Sequence, residues 1–417
     1  MASFRNSNVV MEFSDEGNSN SCDSLMSCGS YANNTTTATN YDAELLVEKF
    51  ADISIRDFRT RRCFLVKRIE DLARELVTDI AKQKIPSFEY DDGRNSGWSS
   101  CSSGYHSTGD ARERHIRFNG NAGRQRFTLL LHILNDAHRN LVNYLDKTDD
   151  AFYRTKRALF YMMKNEPIKR FVKKQAKVEW GIKNVTLLLD CSPWEIGYIS
   201  TSKGLIAGDL TLHLKNPDRV IQFEQQNCRA VPDVVANICH IRTTAEFVLV
   251  VEKDSVFQKL KSEDCPKYNN CILVTGKGYP DIPTRMFVSL LSSKLKLPVY
   301  ALVDANPYGF EIMCVYRFGT TNNLGYREQL LCPDMKWIGV HQHDLVKLGI
   351  TRIKLTKNDL KKIRDLQNRS YIDQDFSKQL MEMRLGKAEI ESVNKPAYHR
   401  FLTQYYIPMK IRHKKYF

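Results

Sequence analysis

Glu252 and Asp304 each stand at the end of a short apolar run. Phe247-Val248-Leu249-Val250-Val251 stops at Glu252, and Val299-Tyr300-Ala301-Leu302-Val303 stops at Asp304. A third run, Cys271-Ile272-Leu273-Val274, stops at Thr275 and the turn Gly276-Lys277-Gly278. Carboxylates are hard oxygen donors, and one or two of them with substrate phosphate and water suffice for Mg²⁺. The Gly-Lys-Gly turn would free backbone N–H groups for phosphate, with Lys277 as a point charge. The plain alternative is that the two acids cap neighbouring helices. A second kind of chemistry is available at Tyr161: a phenolate can attack phosphorus and leave a covalent phosphotyrosyl link. Arg157 precedes it by one helical turn and would stabilise the phenolate or the transition-state charge. The chain has 19 tyrosines, and composition does not single out this one against an ordinary core tyrosine beside Phe160.

Such groups need elements to hold them. Continuous β-branched apolar runs read as strands buried on both faces of a parallel sheet. Residues 285–297 follow the Cys271 run and residues 309–316 the Val299 run as helical stretches, which is βαβ logic. In these sheets ligands bind at the carboxyl ends of the strands, where Glu252 and Asp304 lie. Upstream, residues 43–84 carry Leu65, Ile69, Leu72, Leu76 and Ile80 at spacings of three and four, one apolar helical stripe. Residues 127–144 form a second such helix. Thr155 is placed to cap a short helix that presents Arg157 and Tyr161, and residues 168–189 continue as a basic amphipathic helix. Ser192-Pro193 opens another helix, and residues 199–212 read as a hairpin. Several short helices followed by a hairpin is the order of a winged helix-turn-helix module. Residues 351–364 read as a solvated basic helix face, and Lys410, Arg412, Lys414 and Lys415 as a basic tail.

The chain of 417 residues has 62 Lys and Arg against 48 Asp and Glu, a formal net charge of +14, which favours a polyanionic partner, nucleic acid first. Its 11 cysteines form no Cys-x-x-Cys pair, and several sit inside apolar runs, the pattern of reduced intracellular thiols. No signal-peptide pattern and no apolar run of the ~20 residues needed to span a bilayer is present. The expected fold class is α/β multidomain. The divisions are a disordered tail (1–42), an N-terminal helix (43–90), a flexible linker (91–124), a winged-helix domain (125–215) and a parallel-sheet metal-binding domain with a C-terminal extension (240–417).

Five blocks raise Tyr161 above the other tyrosines. They are Arg157-Ala158-Leu159-Phe160-Tyr161, Ser200-Thr201-Ser202-Lys203-Gly204-Leu205-Ile206-Ala207-Gly208, Val250-Val251-Glu252-Lys253-Asp254, residues 275–285 (Thr-Gly-Lys-Gly-Tyr-Pro-Asp-Ile-Pro-Thr-Arg) and Val303-Asp304-Ala305-Asn306-Pro307-Tyr308-Gly309. In this order they closely resemble the meiotic double-strand-break proteins of the topoisomerase VI A-type family, over residues 60 to 410. The resemblance implies a winged helix-turn-helix domain carrying a nucleophilic tyrosine, followed by a Toprim domain carrying Mg²⁺. It implies that Tyr161 forms a 5′-phosphotyrosyl DNA link and releases a 3′-OH, that Arg157 is the catalytic arginine, and that Glu252 and Asp304 are metal ligands. Lys203, Lys277 and Arg285 are assigned to DNA phosphate. The implied partners are double-stranded DNA, a second copy in a homodimer with composite active sites, meiotic accessory proteins and a topoisomerase VI B-like subunit. The nucleus is the implied location.

Three departures stand out. Asn306 replaces a second aspartate; it can still offer a carbonyl oxygen but removes one charge. Ala158 stands where an acid often follows the arginine. Residues 162–167 are more basic than usual and end in Pro167, which can stop the helix early. A non-catalytic DNA-binding scaffold of the same fold and a Toprim-type hydrolase are therefore the rival readings, and covalent attachment at Tyr161 separates them.

Overall fold

A computed structural model of the chain describes residues 41–91, 97–101, 104–108, 113–147, 150–164, 168–215, 218–223, 227–320, 326–393 and 399–417. The tail expected over residues 1–40 lies outside the described residues.

The N-terminal half is helical and has its own core. Helices α1 (Tyr41–Ala81), α2 (Gly120–Asn143), α3 (Lys156–Met163) and α4 (Gln175–Leu189) follow one another. Leu65, Ile69 and Leu72 of α1 pack with Leu130, Ile133, Leu134 and Leu141 of α2 and Val178, Ile182 and Val185 of α4. The stripe read from sequence thus faces this core up to Leu76, which is partly buried against it. Beyond it Val77 and Ile80 are exposed, because α1 outruns its partners. Within the segment read as a linker, residues 91, 97–101, 104–108 and 113–124 are described, and strands occur among them. Strand β1 (Ser87–Asp91) pairs antiparallel with β4 (Glu113–Arg117), burying Phe88, Tyr90 and Ile116, and β2 (Gly97–Cys101) pairs with β3 (Gly104–Thr108). The alternation Ser87-Phe88-Glu89-Tyr90, apolar in and polar out, is a strand signal inside the segment read as the N-terminal helix (43–90).

The short strands β5 (Arg154–Thr155) and β6 (Tyr198–Ile199) close this half. The hairpin predicted over residues 199–212 is not formed. Strand β7 (Leu205–Ala207) leaves to join a larger sheet, where it pairs with β10 (Arg229–Ala230) and β13 (Cys271–Thr275). Strand β8 (Leu210–Lys215) pairs instead with β9 (Asp218–Phe223) and β11 (Ile238–Arg242). Gly208, at φ +130°, makes the break; a Cβ there would lie 2.7 Å from the Cys271 carbonyl oxygen, so only glycine fits.

The larger sheet has six strands in the order β10-β7-β13-β12-β14-β15, with β12 (Phe247–Val251), β14 (Val299–Leu302) and β15 (Lys336–Gly339). Strand β12 is parallel to β13 and to β14, as the unbroken apolar runs require. Val248, Val250, Ile272 and Val274 enter a core on one face, and Leu249, Val251, Leu273 and Leu302 a core on the other. Helices α5 (Asp254–Ser262), α6 (Cys265–Tyr268), α7 (Ile282–Lys294) and α8 (Pro307–Phe318) connect and cover these strands. From β12 the chain moves to β13 on one side and then to β14 on the other. Such a reversal marks the carboxyl ends of β12 and β14 as the place where sheets of this kind bind ligands. Five further helices, α9 (Gln342–Lys347), α10 (Lys357–Gln367), α11 (Gln374–Glu382), α12 (Ile390–Val393) and α13 (Ile407–Arg412), complete the C-terminal part. No helix among the described residues is long and apolar enough to cross a membrane.

Candidate active site and carboxylate centre

The register places Val251 opposite both Thr275 and Leu302, so the next residues of all three strands emerge at one sheet edge. Glu252 and Asp304 meet there. The Asp304 N–H donates to Glu252 Oε2 across 2.8 Å, and both side chains are buried, 9 % and 3 % exposed. Burial, then the proximity of Asp304, pushes the Glu252 carboxyl up to about 7; burial also raises Asp304. Two carboxyls held out of water at one edge favour a cation between them. Gly309 of α8 is part of this cradle. A Cβ on it would stand 2.8 Å from Glu252 Oε2 and 2.6 Å from the Asp304 carbonyl oxygen, so a glycine is required for the helix to approach.

One positive group is already drawn in. The Lys253 ammonium lies 3.2 Å from Asp304 Oδ2, 3.1 Å from Glu389 Oε2 and 2.9 Å from Glu391 Oε2. Burial opposes its charge, but Glu391, Asp304 and Glu389 outweigh that and hold its pKa above the ordinary lysine value. The acids come from a C-terminal segment that docks on the end of β14. Ala388 bridges Ala305, and the Ile390 N–H donates to Asp304 Oδ1 across 2.9 Å. Two buried hard-oxygen donors and a cation already standing beside one of them are a donor set that fits Mg²⁺.

Asn306 does not offer its oxygen to this centre. It is the N-cap of α8, and Oδ1 accepts the N–H groups of Tyr308 and Gly309 at 2.9 and 2.8 Å. Its amide nitrogen faces Asp304 Oδ2 at 3.4 Å. As placed, Asn306 caps a helix and supplies no free ligand atom.

The Gly276-Lys277-Gly278 turn also differs from expectation. The Gly278 N–H donates to the Glu252 carbonyl (2.8 Å) and the Lys277 N–H to Thr275 Oγ1 (3.1 Å). The first ties the turn to the end of β12, the second closes it on the end of β13, and neither donor is free for phosphate. The Lys277 side chain is exposed, its ammonium 3.5 Å from Asp254, and Lys203 Nζ reaches the Lys277 carbonyl at 3.4 Å. The two lysines therefore share one surface patch beside the carboxylates. Arg285 is elsewhere: it is 2 % exposed inside α7, among Tyr316, Tyr326 and Arg327, and burial lowers its pKa to about 10. An interior guanidinium cannot meet DNA, and Arg285 is withdrawn from the phosphate contacts.

Tyr161 sits in the N-terminal half. Thr155 caps α3 as predicted, its Oγ1 accepting the Ala158 N–H at 3.1 Å. Leu159, Phe160 and Met163 face the core, which turns Tyr161 outward, 53 % exposed. The Arg157 guanidinium lies 5.9 Å and the Lys164 ammonium 5.7 Å from the ring centroid. Hydrogen bonding and charge from Arg157 lower the phenol pKa. Among the described residues, no hydrogen bond or ion pair joins Tyr161 or Arg157 to Glu252 or Asp304. The exposed phenol and the buried carboxylate pair thus share no direct bond among the described residues.

His341, His343 and Asp344 also lie within ligand distance of one another. Lys410 is seated among them, 2.7 Å from Asp344 and 3.0 Å from His341 Nδ1, and Tyr406 donates to Asp344 at 2.7 Å. This is a satisfied internal ion pair that pins α13 to α9. Sequence reasoning missed Lys253, Glu389 and Glu391. Lys253 stands in a matched block, and Glu389-Ile390-Glu391 alternates polar and apolar, so both signals were present.

Residues 247–411 match the family of Toprim domains from Spo11 and the topoisomerase 6 A protein. The chain is 32% identical over 356 residues to Meiotic recombination protein SPO11 of Mus musculus, covering 82% of this chain and 86% of that protein. It is 37% identical over 303 residues to Meiotic recombination protein W68 of Drosophila melanogaster, covering 72% and 86%. It is 31% identical over 357 residues to Meiotic recombination protein SPO11-1 of Arabidopsis thaliana, covering 84% and 95%.

Proposed function

The chain belongs to the Spo11/topoisomerase 6 A family, and from that premise we propose that it makes the DNA double-strand breaks that start meiotic recombination. The Tyr161 phenol gives up its proton and its oxygen attacks a backbone phosphorus. The bond from phosphorus to the 3′ oxygen breaks, that oxygen takes a proton, and a 5′-phosphotyrosyl link remains. The observation that carries this reading is the exposed phenol on a capped helix with Arg157 beside it, lowering its pKa. Arg157 stabilises the phenolate before attack and the pentacovalent charge after it.

Glu252 and Asp304 hold Mg²⁺, which when bound neutralises charge on the scissile phosphate. Among the described residues no hydrogen bond or ion pair links Tyr161 to these carboxylates, which supports a dimer in which the tyrosine of one copy serves the carboxylates of the other. Around the nucleophile Lys164, Lys169, Arg170, Lys173 and Lys174 are exposed, and Lys203 and Lys277 lie beside the carboxylates, so both parts face a polyanion. The helices that carry Tyr161 act as the winged-helix unit of residues 125–215, without the hairpin as its wing. Meiotic accessory proteins and a B-type ATPase-like partner complete the assembly in the nucleus.

The test is covalency. Denaturing immunoprecipitation from meiotic cells should recover oligonucleotides linked to the wild-type protein and none linked to Tyr161→Phe. The fold should be unaffected, since the hydroxyl points to solvent. Linked DNA from the Tyr161→Phe protein would end the assignment, and its absence from the wild type would favour a scaffold or hydrolase.

A further inference from the structure

Among the described residues, Lys253 joins two sets of acids that share no other direct side-chain bond. On its inner side is Asp304 Oδ2 at 3.2 Å; on its outer side are Glu389 and Glu391 at 3.1 and 2.9 Å. The inner carboxylate is 4 % exposed at its side chain, whereas the outer two are 59 % and 45 % exposed. The outer pair is fixed in place. Ser255 Oγ donates to Glu391 Oε1 at 3.0 Å, and the segment bearing both acids is anchored through Ala388 and Ile390 to the strand end that carries Asp304. A lysine ammonium is a compact charge on a flexible stem, able to exchange partners without backbone movement.

We propose that Lys253 is a resident cation of the carboxylate centre and that Glu389 and Glu391 are positioning residues which draw it aside when a divalent ion enters. The proposal deepens the Mg²⁺ reading of the same site and rests on it. With no divalent ion, the ammonium compensates the buried Asp304 charge, which would otherwise be costly. An entering ion must replace that compensation, and the outer glutamates keep the displaced ammonium paired, lowering the cost of exchange. The C-terminal segment is thereby a part of the site: it does not touch the ion or the DNA, yet it sets how readily the ion is taken up. Two opposite charge changes around one lysine should then shift affinity in opposite directions.

The experiment titrates Mn²⁺ into the full-length chain without DNA and counts the free ion by electron paramagnetic resonance, with circular dichroism melts to confirm folding. Lys253→Met should tighten Mn²⁺ binding by about tenfold, the loss of one competing charge. Glu389→Gln with Glu391→Gln should weaken it several-fold, because the ammonium then settles on Asp304. In the Lys253→Met background most of that weakening should vanish. Binding by the wild type that is unchanged or weakened in Lys253→Met overturns the resident-cation proposal and leaves the Mg²⁺ site standing. Equal weakening by the paired glutamine changes in both backgrounds makes the glutamates direct ligands and also overturns it. No binding by any folded variant removes the Mg²⁺ reading itself. Should Lys253→Met fail to fold, unchanged affinity in the exposed glutamine pair alone is sufficient to refute the proposal.

Discussion

Asn306 Oδ1 accepts the Gly309 N–H across 2.8 Å, and Gly309 is the residue whose missing Cβ lets α8 approach Glu252. Helix capping and the shape of the carboxylate cradle are therefore one structural unit. An aspartate at this position would cap as well as asparagine and would set a second negative charge beside Asp304 Oδ2, now 3.4 Å from the Asn306 amide nitrogen.

The first expected outcome follows from that unit. Asn306→Asp should lower the melting temperature of the metal-free protein, since it replaces a favourable contact with like-charge repulsion. It should also enlarge the stabilisation gained on adding Mg²⁺, because an ion bound only by the folded state raises stability by mass action. Asn306→Ala should cost about 1 kcal/mol through the lost cap and keep the Mg²⁺ gain of the wild type, with no increase. Melts with and without Mg²⁺ separate the two; a larger Mg²⁺ gain in Asn306→Ala would place the ion elsewhere.

A second outcome concerns Arg157. It favours the charged form of Tyr161 and so lowers the phenol pKa. Removing it raises that pKa toward the free value, so the rising limb of any phenolate-dependent reaction moves to higher pH. Arg157→Ala should shift the pH profile of covalent adduct formation upward and reduce the adduct at neutral pH by about a hundredfold, the usual scale for losing one transition-state donor. Arg157→Lys keeps a charge but loses the planar fork, and should recover part of the pH shift and less of the rate. An adduct profile unmoved by Arg157→Ala would assign the arginine to binding alone.

The parallel centre of the sheet was legible because period and composition agree there. Every residue of Phe247–Val251 and of Cys271 to Val274 is buried, as an unbroken apolar run allows. The carboxylates were legible because they end such runs. The fate of residues 199–212 was not. Two Gly-punctuated extended pieces look alike whether they pair with each other or with distant strands, and β7 finds its partners through pairings made far along the chain. Asn306 and the Gly-Lys-Gly turn failed for a related reason. Their types allow phosphate or metal binding, but the groups are consumed locally by capping and by strand-end hydrogen bonds. Lys253, Glu389 and Glu391 form a site only through a bridge between Ala305 and Ala388, a pairing that local periodicity does not report.

Surface and interior cations should separate in a salt titration of DNA binding. A lysine bound to phosphate releases counterions, and removing one such lysine reduces the slope of log affinity against log salt by about 0.9. Lys203 and Lys277 are exposed and adjacent. Lys203→Ala and Lys277→Ala should each weaken binding and each flatten that slope, with no change in melting temperature beyond about 0.5 kcal/mol of stability, the ordinary surface effect. Arg285 is interior, with a guanidinium that burial has already pushed down to about 10. Arg285→Met should leave the slope as it is in the wild type and act on stability alone, since its side chain packs inside α7 and meets no phosphate. Filter-binding or anisotropy titrations across a range of KCl concentrations on one duplex, with melts of the same proteins, give both quantities. A slope flattened by Arg285→Met in a protein that still melts like the wild type would mean that α7 opens to DNA, and that the interior placement of Arg285 holds for the free chain only.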